Sequence, residues 1–266
     1  MSPVTRVRGL GRYLGRPPAT LASVVTLVLV WAGLARGFGL ADTISSPALV
    51  AAATADLLAS MEWVPHVLDT FRRTVFGFVA TLAVGTALGV LVGASRFWER
   101  ALGGYVTIGL ALPSLFAAVF AAMWFGISDL TPMVAGAAIS FPFVAQGVAD
   151  GVKDVDRDLV EMSTAFEVGR WRMLRRVVVR SVLPEWFSGA RYAFAICWKI
   201  TTLAELVAAG SGIGFMIEFE MRRLSITGVF SWTLLFVAIL LVLEYGVFQR
   251  LERRAFAYRT EGVPMR

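Results

Sequence analysis

The chain has 266 residues, 57% of them hydrophobic and 17% charged, with a formal net charge of +6. A soluble domain carries roughly 45–50% apolar and about 25% charged residues, so this composition points to a membrane protein and leaves no room for a large soluble enzyme domain. One cysteine, Cys197, and one histidine, His66, exclude an intrachain disulfide and a multi-histidine metal site. Of the 25 basic residues only Lys153 and Lys199 are lysine. They follow Val152 and Trp198, so neither stands in the Gly-Lys-Ser/Thr of a phosphate-binding loop. No ATP site, metal or other cofactor is expected in this chain. The basic residues flank apolar runs, which reads as membrane orientation rather than nucleic-acid binding.

In chain order, residues 1–18 carry Arg6, Arg8, Arg12 and Arg16 and no acid, and a first apolar run covers about 19–40. A basic start and an apolar stretch also fit a signal peptide, but more runs follow and no clean small-x-small cleavage site appears. Residues 47–61 predict a short interfacial helix. The second run, about 70–94, holds Gly77, Gly85, Gly89 and Gly93 on nearly one helix face, where small residues let another helix approach. The third, about 101–125, contains Pro113, and the fourth, about 132–149, contains Pro142; each proline predicts a kink. Residues 150–187 form the one long charged segment. A fifth run at about 188–209 leads to a loop with Gly210, Gly212 and Gly214, and a sixth at about 226–248 leads to a basic tail.

A hydrocarbon core about 30 Å thick needs about 20 apolar residues per helical span, so the six runs predict six spans. With the N-terminus placed in the cytoplasm, nineteen basic residues fall on the inner side and five on the outer. That asymmetry predicts that both termini are cytoplasmic. No fixed-period repeat or linker appears, so the expected architecture is a single all-α transmembrane domain over 1–266. Within 150–187, Asp154, Asp156 and Asp158 suit a helix N-terminus, Gly169 breaks that helix, and a second helical stretch over 170–182 closes at Pro184.

The stretch Leu159-Val160-Glu161-Met162-Ser163-Thr164-Ala165-Phe166-Glu167, followed by Arg170-Trp171 and Leu183-Pro184, resembles the EAA loop of ABC importer permeases. That pattern runs Glu-Ala-Ala, three residues, Gly, then a stretch ending in Leu-Pro. Further matches, in order and over about residues 45–250, are similar to the subfamily serving sulfonates, taurine, nitrate and related compounds. They are Thr70-Phe71-Arg72-Arg73 with Gly77-Phe78, Leu112-Pro113, Trp124-Phe125-Gly126-Ile127, Gly189-Ala190-Arg191-Tyr192, Ala204-Glu205 and Gly210-Ser211-Gly212-Ile213-Gly214. The resemblance implies the type I importer architecture in a bacterial inner membrane. It implies a non-catalytic permease working with a second copy of itself, two ABC ATPase subunits and an extracytoplasmic substrate-binding protein. It also assigns ATPase coupling to residues of about 157–180: Glu161, Met162, Ser163, Phe166, Glu167, Gly169 and Arg170. The pattern's alanines are Met162 and Ser163 here and its glycine is Glu167, so Gly169 is expected to make the bend instead.

Charges within spans stand apart. A buried ammonium costs about 2.5–3.5 kcal/mol even on an insertion scale, so Lys199 must face the bundle interior or a wet cavity. Two readings follow. In one, Lys199 lines the translocation path with Trp198 and Thr202 and attracts an anionic substrate. In the other, it pairs with an acid of another helix, for example Glu244. By the resemblance Glu205 belongs to the gate region; otherwise it bonds loop amides after Gly210. Pro113 is a candidate path-lining kink. His66 reads as an ordinary interfacial residue. A self-contained secondary transporter or channel is the rival class, but Lys199, Glu205 and Glu244 are a thin set of coupling residues for it. An intramembrane enzyme lacks a nucleophile–base pair or metal ligands.

Overall fold

A computed structural model describes residues 17–37 and 45–251. The arginines at 6, 8, 12 and 16, the end of the first apolar run and most of the basic tail lie outside the described residues. Among the described residues every regular element is helical.

Helix α1 is Pro17–Gly37 and α2 is Pro47–Ser60. Ser46 caps α2, its hydroxyl accepting from the Leu49 amide, and Pro47 fills the first turn, where no amide partner is needed. Trp31 of α1 donates to the Ser45 carbonyl at 3.0 Å and stacks on Phe230. Helix α3 is Trp63–Ala94, α4 Arg96–Ala111, α5 Ser114–Phe125 and α6 Leu130–Lys153. Helix α7 is Arg157–Ala165, α8 Arg170–Ala208, α9 Ile213–Arg222 and α10 Ile226–Leu251. Helices α3, α6 and α10 are each long and apolar enough to cross a membrane, and two bent pairs, α4 with α5 and α8 with α9, reach that length together.

Three differences from the sequence expectations have physical causes. First, the run over 101–125 is not one continuous helix: it breaks at Leu112-Pro113 and α4 and α5 meet at 100°. Leu112 is extended (φ −66°, ψ 124°), as the proline ring requires of the residue before it. Second, Pro184 does not close the preceding helix. Helix α8 runs unbroken from Arg170 through a wide turn at Leu174–Val178 and through Pro184 to Ala208. Third, α3 begins at Trp63, not near Thr70, so Arg72 and Arg73 stand about three turns into the helix rather than at its first turn. Pro142 is likewise carried inside a continuous α6, where it is buried.

The centre of the bundle is α6 sandwiched between α3 and α8. The α3 glycines make this possible. A methyl group on Gly89 would lie 2.5 Å from Val148 Cβ and 2.6 Å from the Ala145 carbonyl oxygen; on Gly85 it would lie 2.7 Å from both Val144 Cβ and the Phe141 oxygen. The two backbones therefore approach as closely as backbones can, which is how helices associate when lipid removes the usual hydrophobic drive. Val144, Val148 and Ala193 are buried at this seam. A second cluster joins Ala117, Ala118 and Ala121 of α5 to Ala135 and Ile139 of α6 and Ile200 and Ala204 of α8. A third joins Trp198, Ile213, Trp232 and Leu235, bringing α9 and α10 onto α8. At the far end of α6, Lys153 donates to Glu99 at 2.7 Å and ties α6 to the start of α4.

Candidate translocation site

A cavity of about 570 Å³ lies between α4, α5, α6, α8, α9 and α10. Its wall is mostly aliphatic and aromatic, from residues such as Ile139, Phe143, Leu203 and Phe236, with Ser114, Thr202 and Thr233 as hydroxyls. Lys199 is the one charged residue among those described in the lining. Glu244, proposed above as its counter-ion, is taken by Arg191, whose Nε donates to it at 2.7 Å. Thr202 faces the cavity and donates to the Trp198 carbonyl at 3.0 Å. Trp198 itself is 0% exposed and stacks on Phe236 in the core, one turn from Thr202. Pro113 is at the α4–α5 corner, with its neighbour Ser114 on the cavity wall.

A polar cluster closes one end of the bundle, and sequence reasoning missed its key member. Arg73 (3% exposed) and Glu205 (1% exposed) form an ion pair at 2.9 Å between α3 and α8. All five guanidinium hydrogens are used. Nη1 also donates to the Ser211 carbonyl at 2.6 Å. Nη2 donates to Asp129 at 2.6 Å and to the Ser211 hydroxyl at 2.8 Å, and Nε donates to Asp129 at 2.9 Å. The second Glu205 oxygen accepts from the Thr70 hydroxyl at 2.8 Å and the Gly214 amide at 3.1 Å. Two further loop amides are held by α3, Ile213 by Thr70 Oγ1 at 2.8 Å and Gly212 by His66 Nδ1 at 3.2 Å. Thus three successive amides of the glycine loop are bound, and Glu205 bonds the loop as the second reading held. Arg73 hydrogen bonds hold the Asp129 carboxyl below the usual carboxylate range. Gly212 (φ +111°) has no space for a side chain, since a Cβ there would meet the Glu205 carboxylate at 2.4 Å. The clue available in the sequence was an arginine and an acid in separate apolar helices, each needing a partner.

The EAA-like segment forms α7 and the turn after it. Asp156 caps α7, its carboxylate accepting from the Asp158 amide at 2.9 Å. The helix ends as a six-residue cap: the Val168 amide bonds the Ser163 carbonyl at 2.9 Å and the Glu167 amide bonds the Thr164 carbonyl at 3.0 Å. Glu167 is the left-handed residue of that cap, φ +49°. Gly169, with φ −54°, starts α8 instead. So the bend is made at the pattern's glycine position by a glutamate, and not by Gly169. Ser163 is buried, its hydroxyl donating to the Leu159 carbonyl at 2.7 Å. Glu161, Met162 and Arg170 are exposed, and Phe166 is 77% exposed. Leu159, Met162 and Phe166, spaced by three and four, put an apolar patch on one face. A left-handed non-glycine residue costs about 1–2 kcal/mol. Glu167→Gly is therefore expected to strengthen the cap, slowing hydrogen exchange of the Val168 amide by about fivefold; faster exchange would contradict the assigned strain.

Comparison with known proteins fits this geometry. The model of the family described as binding-protein-dependent transport system inner membrane component matches residues 85–257. The riboflavin transport system permease protein RibX of Chloroflexus aurantiacus is 30% identical over 242 residues, covering 89% of this chain and 88% of its own length. The putative aliphatic sulfonates transport permease protein SsuC of Bacillus subtilis is 26% identical, covering 96% and 92%. In fold, the chain is similar to a chain of the inward-facing MetNI methionine ABC transporter, with a TM-score of 0.63 and 20% identity, covering 73% of this chain and 97% of that one. This chain belongs to the family of binding-protein-dependent transport system inner membrane components, the permeases of ABC importers.

Proposed function

We propose that this permease forms, with a second copy of itself, the translocation path for a small anionic solute handed over by an extracytoplasmic binding protein. The observation that carries the reading is the cavity in which Lys199, with no carboxylate beside it among the described residues, faces an otherwise uncharged wall. A sulfonate, a nitrate or an aromatic acid presents the charge that such an ammonium attracts. Six spans, both termini in the cytoplasm and a single transmembrane domain in a bacterial inner membrane complete the reading, supported by the excess of basic residues on the inner side. The bent α4–α5 pair supplies the third span and the region around Glu205 the outer gate. The chain binds no ATP; two separate ATPase subunits dock on α7 and its cap through Glu161, Met162, Phe166, Glu167, Gly169 and Arg170, while the buried Ser163 holds the helix rather than meeting the partner. Closure of those subunits shifts the pair between inward- and outward-facing states through differential contacts.

Two variants test the two halves. Lys199→Met, reconstituted with its ATPase and binding protein, is expected to lower uptake of the anionic solute about tenfold, the loss of one charge-assisted contact. Unchanged uptake with an intact complex removes Lys199 from the path. Glu161→Lys places a cation where the docking acid stood. It is expected to bring ATPase activity of the reconstituted complex down to that of the isolated ATPase subunit. Full stimulation in that variant would move the docking surface elsewhere.

A further inference from the structure

The unbroken α8 carries a feature that docking on α7 does not use. Its first turns hold Arg172, Arg175, Arg176 and Arg180, all exposed. None of the four makes an ion pair or side-chain hydrogen bond among the described residues. Charge is segregated across the Glu167 turn. The segment 156–167 has Asp156, Asp158, Glu161 and Glu167 against the single Arg157, whereas 170–183 has five arginines and no acid. At about 80° per residue through the wide turn at Leu174–Val178 and about 100° elsewhere, the four arginines span an arc of about 90°. Leu183 falls inside the same arc and Val179 at its edge, 38% and 48% exposed, and Leu183 stands about 5 Å further along the axis than Arg180 and about 15 Å further than Arg172. One face thus passes from guanidinium groups to two exposed apolar side chains, Val179 and Leu183, just before the helix enters the bundle, where Ala190 and Phe194 are buried.

We propose that this arginine face binds anionic phospholipid headgroups of the cytoplasmic leaflet, a site distinct from the ATPase-docking surface of α7. The inference rests on the inward orientation of residues 150–187 given above. A solvated basic face needs no apolar continuation, and a protein-docking face needs none that enters the bilayer. Lipid supplies both parts: a phosphate matches the planar guanidinium fork, and acyl chains cover Val179 and Leu183. Basic residues at an anionic leaflet gain about fivefold in affinity each.

The test uses the purified permease–ATPase complex in detergent, titrated with dioleoylphosphatidylglycerol or dioleoylphosphatidylcholine and read by native mass spectrometry. The wild type is expected to retain phosphatidylglycerol in preference to phosphatidylcholine. Arg176→Gln with Arg180→Gln is expected to lower phosphatidylglycerol retention tenfold or more, with the ATPase subunit still co-purifying. Arg176→Lys with Arg180→Lys, which keeps the charge, is expected to keep most of it and shows that the loss is not one of folding. Equal retention in the wild type and the glutamine variant overturns the site. So does loss of the ATPase subunit with lipid retention unchanged, which assigns the arginines to the protein interface. Absence of any ATPase from the wild-type preparation counts against the importer reading itself, and lipid retention by the permease alone then still decides the arginine face.

Discussion

Arg73→Met is expected to be the most damaging single substitution in the chain, lowering stability by roughly 3–5 kcal/mol. The reason is what it leaves behind. Glu205 is buried at 1% exposure, and without the guanidinium its charge keeps only the Thr70 hydroxyl and the Gly214 amide. The Ser211 carbonyl loses its donor as well, so the loop that connects α8 to α9 is released at one point and strained at another. The variant should give little monodisperse protein on fluorescence-detected size exclusion and a large fall in its melting midpoint. The informative partner is Arg73→Met with Glu205→Gln. The glutamine removes the stranded charge yet still accepts from Thr70 and Gly214, so the double variant should recover most of the lost stability. If it melts as low as Arg73→Met alone, the damage does not come from a stranded carboxylate, and the buried pair is not what joins α3 to α8.

The second large effect is expected at the α3–α6 seam. Gly89→Val puts Cβ within 2.6 Å of the Ala145 carbonyl oxygen, a backbone atom that cannot swing aside, and two more carbons beyond it. The helices must separate along a seam where Gly77, Gly85 and Gly93 are equally tight. Overpacking in a rigid core costs about 1–3 kcal/mol, and the upper end or beyond is expected where backbone meets backbone. Gly103 on α4 supplies the control: nothing lies within 4 Å of a Cβ there, and Gly103→Ala should be neutral or slightly stabilising because alanine is the better helix former. Equal melting of Gly89→Val and the wild type would mean that the seam is loose enough to relax.

Much of the fold was legible because its determinants are local and periodic. The spacing of Gly77, Gly85, Gly89 and Gly93 announced a close helix contact before the partner, α6, was known. The apolar runs located the long helices, though not their ends. The three prolines show where local reasoning stops. Each removes an amide donor in the same way, yet Pro113 ends a helix while Pro142 and Pro184 are carried through. Pro142 is buried in α6, packed between two neighbours, whereas Pro113 is exposed at a corner. Tertiary cover decides the outcome, and no single stretch of sequence holds it. The same limit hid the Arg73–Glu205 pair, whose members stand 132 residues apart. The turn after α7 was half legible. The motif located it, but the left-handed backbone at Glu167 contradicts the usual preference for glycine, so Gly169 was the natural and mistaken choice.

One consequence of the continuous α8 is mechanical. A helix from Arg170 to Ala208 is about 58 Å long at 1.5 Å per residue, and it carries the first residues after the Glu167 turn, Lys199 at the cavity wall and Glu205 in the polar cluster. These are stations on one rod. Tilting that rod by about 5° about one end sweeps the other through about 5 Å, enough to part the hydrogen bonds that Glu205 makes. No relay of side-chain rearrangements between the two ends of the helix is then required. On the docking proposed for α7, a push on that turn works as a lever, its reach fixed by the absence of a hinge at Pro184.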